Sequence, residues 1–562
     1  MMILNIRPLL GASFYIFVTI AVVDAISTLP VVTFGQSSIV GALYEPSAVE
    51  FFGGIPYAKP PLGQLRLRPP VLLQSLPVKV LNAQNFGLAC LQNEIPADAV
   101  SEDCLTLNVF RPAGATTKAK LPVMIWIHGG NFFVGSSSLY NATGIVVHAV
   151  RRGTPVIIVS INYRLGPLGF PQGVEVGNAG PEVMNLGLQD QFAAFQWVHN
   201  NIEHFGGDKS KVTLFGESAG AYSINILLQH TKIRSLARAA ILESMGVLPI
   251  FGPERSEAIW QDYVSAIPGC ASAASSNSTI ECIRNATSAE VLQALTTAGL
   301  VFSNSTMFLP VLDGPDGLLV GRQSQVVLNK ARLPIMMGNN LDEGTLFTPQ
   351  NVADAGPILG FLNSSTSPSL VSQKEHLRVI EKILELYPND PALGSPFGTG
   401  NETFGLNSQF KRFSAISGDW VLQAPRRTLV RATSAAGVKV FSYLFTDRDG
   451  TIIPELITFT PAPGSLGVPH TAEIYYVFNI LANRTANAVA LSSIMQDYWI
   501  SFAVSLDPND KHGNASRPYW EQYTPKNPVL LELNGHKTAP ILDTFREKQI
   551  SFIQDHPEAL HV

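Results

Sequence analysis

The sequence predicts an α/β fold: a large, mainly parallel central sheet with helices on both faces and long loop insertions. Three observations predict it. Short apolar, β-branched runs recur along the chain, helical patterns separate them, and one strand–turn–helix unit carries a glycine-flanked serine. A strand that is apolar at nearly every position is buried on both faces, the condition of parallel strands covered by crossover helices.

The elements can be read in order. LPVMIWIHGG (121–130) is a buried strand ending in a glycine turn, and TPVIIVSINYR (154–164) is a second strand. In the next segment Leu188, Phe192, Phe195, Val198 and Ile202 fall on one face of a helix. KVTLFGESAGAYSINILLQ then gives a strand at 212–215, a tight turn and a helix at 221–228. AAILESMG and LPIMMGNN read as further buried strands. The Ser/Thr/Asn/Gly-rich stretches near 271–287 and 363–368 read as surface loops, too short for linkers. With no internal repeat, one domain over 26–562 with long insertions fits best.

The 562 residues are 46% hydrophobic and 14% charged, enough apolar material for an extensive core, and the formal net charge is −5. No basic block is present to bind a phosphate backbone or anionic lipid, so nucleic-acid binding is not expected. At the N-terminus, Arg7 precedes an apolar run from Leu9 to Val23 and then small residues. That pattern predicts a secretory signal peptide over 1–25, cleaved after Ala25. No later run is long enough to span a bilayer, and the C-terminal QDHPEALHV carries neither an anchor tail nor an ER-retention tetrapeptide. The expectation is a secreted protein without a stable membrane anchor.

Four cysteines suit an oxidising route, and local spacing favours Cys90–Cys104 and Cys270–Cys282 among the three possible pairings. Acceptor triplets for N-glycosylation start at Asn141, Asn277, Asn285, Asn304, Asn363, Asn401, Asn483 and Asn514. No CxxC or clustered histidine suggests a metal.

Gly216-Glu217-Ser218-Ala219-Gly220 matches G-x-S-x-G with a strand before it and a helix after it. So sharp a turn forces strained dihedrals on Ser218, and small residues two positions either side let strand and helix approach. The hydroxyl is then held at the sheet edge above a helix N-terminus, which favours developing negative charge.

GESAG, together with SEDCLTLNVFRP (101–112), FFGGIPYAKPPLGQLRLRPP (51–70), NYRLGPLGF (162–170) and HFGGDKSKVTLFGESAG (204–220), resembles the type-B carboxylesterase/lipase family of α/β-hydrolases. The resemblance runs from about residue 30 to about residue 550 and is greatest to the fungal secreted members. It implies a serine ester hydrolase with no cofactor and a small-molecule ester as partner.

A serine hydroxyl needs a base, and the base needs an orienting carboxylate. In this fold the chain order is Ser, acid, His, so both lie downstream. His470, in GVPHTAEIYYVF, matches the family's catalytic histidine motif. In MMGNNLDEGTLF the family pattern implies Glu343 as the acid, with Asp342 the minor alternative. The resemblance also implies an oxyanion hole from the backbone N–H groups of Gly130, Asn131 and Ala219. Asn131 stands where many members have Gly, and Met245 where the family commonly keeps a small Gly, so both add bulk near the acyl group. Two ion pairs, Arg66–Glu102 and Arg164–Asp190, are implied by the resemblance alone.

The Cys90–Cys104 loop reads LQNEIPADAVSED, without an aromatic residue. Similar lipases close a long helical flap at this place, and cholinesterases carry here the tryptophan that stacks on choline. Neither has material in this chain, so an esterase for soluble or short-chain esters is expected. The competing expectations are a triacylglycerol lipase or sterol esterase, with a lid or aromatic wall from 300–310 (Phe302, Phe308), and a non-catalytic adhesion relative.

Overall fold

The computed structural model describes residues 29–561, apart from 45, 47, 248, 301–307, 322–329, 368 and 450–459. The expected signal peptide, Asn304 and Phe302 lie outside the described residues.

Eleven strands form the central sheet. In chain order they are β1 (Ala42–Tyr44), β2 (Val49–Pro56), β3 (Thr106–Pro112), β4 (Leu121–Ile127), β5 (Ile157–Ile161), β6 (Gly207–Glu217), β7 (Ala239–Glu243), β8 (Ile335–Asn340), β9 (Val440–Phe445), β10 (Val529–Leu533) and β11 (Ala539–Leu542). Across the sheet the order is β11-β10-β9-β8-β7-β6-β4-β5-β3-β2-β1. Every pairing from β5 to β10 is parallel, and the pairings beyond β5 and beyond β10 are antiparallel. The fold is the α/β-hydrolase fold that the sequence predicts.

The continuous apolar strands are covered on both faces. Val123, Ile125 and Ile127 of β4 enter one core cluster, while Met124 and Trp126 point into another. The first cluster includes apolar residues of α2 (Leu186–Asn201), α3 (Ala219–Leu227) and α5 (Ala424–Ala435). The second takes those of α1 (Thr143–Arg151) and α6 (Ala486–Ser505). Helix α4 (Ser408–Gly418) runs into α5 through a wide turn over Asp419–Gln423. Both faces being dry is why neither sequence period nor alternation marks β4 to β9.

Boundaries differ from those read in the sequence. β5 begins at Ile157 rather than 154, and β6 runs back to Gly207, through polar residues that carry no apolar signal. Disulfides join Cys90 to Cys104 and Cys270 to Cys282, as local spacing favours. The Arg66–Glu102 pair is bidentate at 2.6 and 2.7 Å, and Arg164–Asp190 at 2.8 Å on both arms. All four side chains are buried, so each pair ties segments distant in sequence rather than facing solvent. Seven acceptor asparagines fall within the described residues, and all seven are exposed. Among the described residues no helix is long and apolar enough to cross a membrane.

Candidate active site

The parallel strands β6, β7 and β8 end side by side, with Glu217 opposite Glu243 and Glu243 opposite Gly338. Ligand chemistry in open parallel sheets gathers at this carboxyl edge, and the turn after β6 carries Ser218. Ser218 has φ 53° and ψ −121°, a strained conformation, and it directly precedes helix α3. Its N–H donates to the Glu243 carbonyl at 3.0 Å, and its carbonyl accepts from the Tyr222 N–H at 2.8 Å. A Cβ added at Gly220 would stand 2.0 Å from the Ile127 carbonyl oxygen, and one at Gly216 would stand 2.7 Å from it. The two glycines of the motif are therefore what lets β6, β4 and α3 meet behind the serine.

The loop after β4 passes directly beside Ser218. A Cβ at Gly129 would lie 3.0 Å from the Ser218 Cβ. Gly130, Asn131 and Phe132 follow with φ of 103°, 54° and 61°. At Gly130 a side chain is excluded, since its Cβ would meet the Val134 carbonyl oxygen at 2.0 Å. Asn131 adopts its left-handed conformation as asparagine does more readily than most residues. His128 is buried and stacked on Tyr163, with ring centroids 4.5 Å apart, and burial pushes its pKa down to about 4. It is neutral and structural at physiological pH.

His470 follows β9 on a loop locked to the acid turn. The Asp342 N–H donates to the Val468 carbonyl, and the Val468 N–H donates to the Asp342 carboxylate, both at 2.9 Å. The Asp342 carboxylate also accepts from the Ser395 hydroxyl and the Phe397 N–H. Asp342 is thus occupied in holding loops together, and Glu343 meets the imidazole: its Oε2 lies 2.6 Å from Nδ1 of His470. Nε2 makes no aligned hydrogen bond among the described residues, and Glu217 Oε1 lies 3.1 Å from it, off the bonding direction. Ser218 and His470 are therefore not hydrogen-bonded, a contact that often tightens only with substrate. Phe347, with 44% of its surface exposed, covers the imidazole ring at 4.9 Å between centroids.

Three buried glutamates bear on this histidine, Glu217, Glu343 and Glu473, and a fourth, Glu243, feels the charges of Glu473 and Glu217. The Ser244 hydroxyl lies 2.7 Å from Glu343 Oε1 and 2.7 Å from Glu473 Oε1. A hydroxyl has one proton, so one of these two contacts must be made by a proton on a carboxyl group. Glu343 already accepts from the Asn340 N–H at 2.7 Å, the Asn339 amide at 3.2 Å and the imidazole. Glu473, which receives the Asn340 amide and a long 3.5 Å contact from the Tyr443 hydroxyl, is the better proton holder. Burial, then repulsion from Glu343, raises its pKa to about 7. Burial also raises Glu217 to about 8 and holds Glu243, which accepts from the Trp499 indole at 2.6 Å, well above the usual carboxylate range.

Burial alone would depress His470, but the Glu217 and Glu343 charges and the Glu343 hydrogen bond outweigh it and raise the imidazole to about 9. The effect is mutual: the Glu217 charge raises His470, and the His470 charge lowers Glu217.

Sequence reasoning placed Ser218, Glu343, His470 and the 129–132 loop, and the structure gathers all of them at one edge. It missed the partners Glu217, Glu243, Ser244, Asn340 and Glu473. A signal was available: TLFGES and AILES each end a buried apolar strand on a carboxylate, where a charge has no reason to sit unless the strand end is functional. Phe308 is fully buried and packs on Tyr263 at 6.4 Å between ring centroids.

A sharp strained serine turn, an imidazole held by a buried carboxylate and a left-handed loop beside the serine, on this sheet, define a hydrolase of the α/β-hydrolase class. The carboxylesterase family model matches residues 28–553, and the chain belongs to that family, so it is a carboxylic-ester hydrolase. It is 32% identical to Lipase 2 of Geotrichum candidum, over 97% of this chain and 98% of that protein. It is 33% identical to Secreted lipase 1 of Botryotinia fuckeliana, over 90% of this chain and 89% of that one. Among solved structures, Aspergillus niger EstA is similar with a TM-score of 0.79 and 26% identity, covering 95% of this chain and 99% of that one. PNB esterase is similar at 0.71 and 28%, covering 93% and 100%.

Proposed function

We propose that this protein is a secreted serine carboxylesterase working through an acyl-enzyme on Ser218, with His470 as base and Glu343 as the orienting acid. The observation that carries the reading is the 2.6 Å contact of Glu343 with Nδ1 of His470, at the sheet edge where Ser218 occupies its strained turn. Ser218 Oγ attacks the ester carbonyl carbon as Nε2 of His470 takes its proton. The N–H groups of Gly130, Asn131 and Ala219 hold the oxyanion. The C–O bond to the alcohol breaks as His470 returns the proton to the leaving oxygen. Water, deprotonated by His470, then releases the acid and regenerates Ser218.

Substrates are soluble or short-chain esters. Support comes from the Cys90–Cys104 loop, which contains no helix and is tied down at both ends. Gln92 bonds Gly135 in both directions at 2.8 and 2.9 Å, Asn93 donates to the Leu300 carbonyl at 2.7 Å, and Glu102 pairs with Arg66. Between these anchors only residues 94–99 remain, a stretch too short to form a long helical flap. Export with removal of residues 1–25, and glycans on several exposed sequons, complete the reading; relatives named as secreted lipases support export.

The names of those relatives favour a second reading, a triacylglycerol lipase. The test is a p-nitrophenyl ester chain-length series, with a rate curve for tributyrin across its solubility limit. Ordinary saturation below that limit and preference for short chains are expected. A sharp rise once droplets form, with long chains preferred, makes the protein a lipase.

A further inference from the structure

We propose that the wide turn over Asp419–Gln423, opened by Pro425, positions the catalytic acid, with Val421 and Gln423 as the positioning residues. This rests on the assignment of Glu343 above. In the turn the Ala424 N–H reaches back five residues to the Asp419 carbonyl, where an α-helix would reach back four. The next residue, Pro425, has no N–H, so the carbonyl four residues before it, that of Val421, has no helical donor. That carbonyl accepts instead from the Val247 N–H at 2.8 Å. Val247 is three residues beyond Ser244, whose hydroxyl touches both Glu343 and Glu473.

A second arm leaves the same turn. Gln423 is buried, and its amide donates to the Asn340 carbonyl at 2.9 Å, while the Asn340 N–H donates to Glu343 at 2.7 Å. A third contact is steric. Gly418 and Gly344 face each other so closely that a Cβ on Gly418 would lie 2.9 Å from the Gly344 nitrogen and 3.7 Å from the Glu343 Cβ. The outer side of the turn is fixed independently: Asp419 accepts from Arg546 and from the Tyr387 hydroxyl, and the Trp420 indole donates to the Leu560 carbonyl. The turn is thus held from outside and bears on the acid from inside. Wide helical turns sacrifice regular hydrogen bonding and recur at functional sites, and here the freed carbonyl has a partner in the strand end that carries Ser244.

Pro425→Ala restores an N–H that competes with Val247 for the Val421 carbonyl, and Gln423→Met keeps the volume but removes the donor to Asn340. Both are made in the full chain and assayed on p-nitrophenyl butyrate beside Glu343→Gln. In each turn variant kcat should fall about tenfold or more, with KM changed by less than about twofold. The His470 limb of the pH profile should move toward the ordinary histidine value, because Glu343 would hold the imidazole less closely while Glu217 and Glu473 still face it. Pro425→Ala should still melt cooperatively, since the helical bond gained at the Val421 carbonyl offsets the one that Val247 loses. Folded variants with wild-type kcat and pH profile overturn the proposal, and so does a lower melting temperature with kcat unchanged. If Glu343→Gln itself keeps wild-type kcat, the acid assignment fails and takes the proposal with it. If Glu343→Gln is impaired and the turn variants are not, only the proposal falls.

Discussion

Glu217 Oε1 lies 3.1 Å from Nε2 of His470, on the ring edge opposite the one that Glu343 occupies. The imidazole is therefore held between two carboxyl groups, one aligned and one not, and the nitrogen that acts as base in the proposed mechanism faces the second.

Under the proposed mechanism that arrangement sets the pH dependence of catalysis. Because Glu217 is the larger of the charges raising His470, Glu217→Gln should lower the pKa of the limb that reports the free base. Log kcat/KM against pH should rise at lower pH in the variant than in the wild type. An unmoved limb would mean that Glu217 does not set the protonation of the base.

Replacement of Ser218 or His470 by alanine should lower kcat by at least about 10³-fold in protein that still melts cooperatively. An organophosphate should add one adduct, which peptide mapping should place on Ser218. A label on another serine with Ser218 clean, or a loss of only a few-fold, would show the nucleophile or base to be misassigned.

Alkaline stability should reflect the buried carboxyl groups. The folded values of Glu473, Glu217 and His470, about 7, 8 and 9, all lie above their ordinary 4.5, 4.5 and 6.5. The folded chain thus binds more protons than the unfolded chain across this range. The stability linked to these groups is complete below the unfolded values and is lost as pH rises through about 7 to 9. Glu473→Gln keeps a hydrogen-bonding amide and removes one of these titrations, so its urea midpoint should fall less between about pH 6 and about pH 9. An equally steep fall in the variant would place the lost proton elsewhere.

Gly344→Ala should be destabilising by about 3 kcal/mol or more, because overpacking against backbone cannot relax by side-chain rotation. Its Cβ would stand 2.0 Å from the Ser414 carbonyl oxygen. Chemical denaturation measures the loss, and a variant as stable as wild type would show that α4 can withdraw from the acid turn.

Much of this was legible in the sequence. Strands β4 to β8 announce themselves as apolar runs, and the elbow announces itself because its glycines have a steric reason visible in the motif. Glu343 was separable from Asp342 only by resemblance, since both follow the same strand. What divides them is which way each carboxylate turns, toward the imidazole or toward Val468 and Phe397, and that depends on loops more than fifty residues away. Glu473, three residues past His470, gave no periodic signal: its partner Ser244 is brought to it by the order of the strands. The wide turn before Pro425 had no reading in the sequence, because the partners that meet it, Val247 and Asn340, come from segments far away in the chain.

The clamp between Gln92 and Gly135 gives one disulfide a reach that the other lacks. Gly135 packs against His128 and Gly129, its absent side chain leaving room for the His128 ring. The Cys90–Cys104 loop is consequently tied to the loop beside Ser218. Mild reduction of the first bridge would loosen the loop beside Ser218, which carries two of the proposed oxyanion donors, while the sheet stays folded.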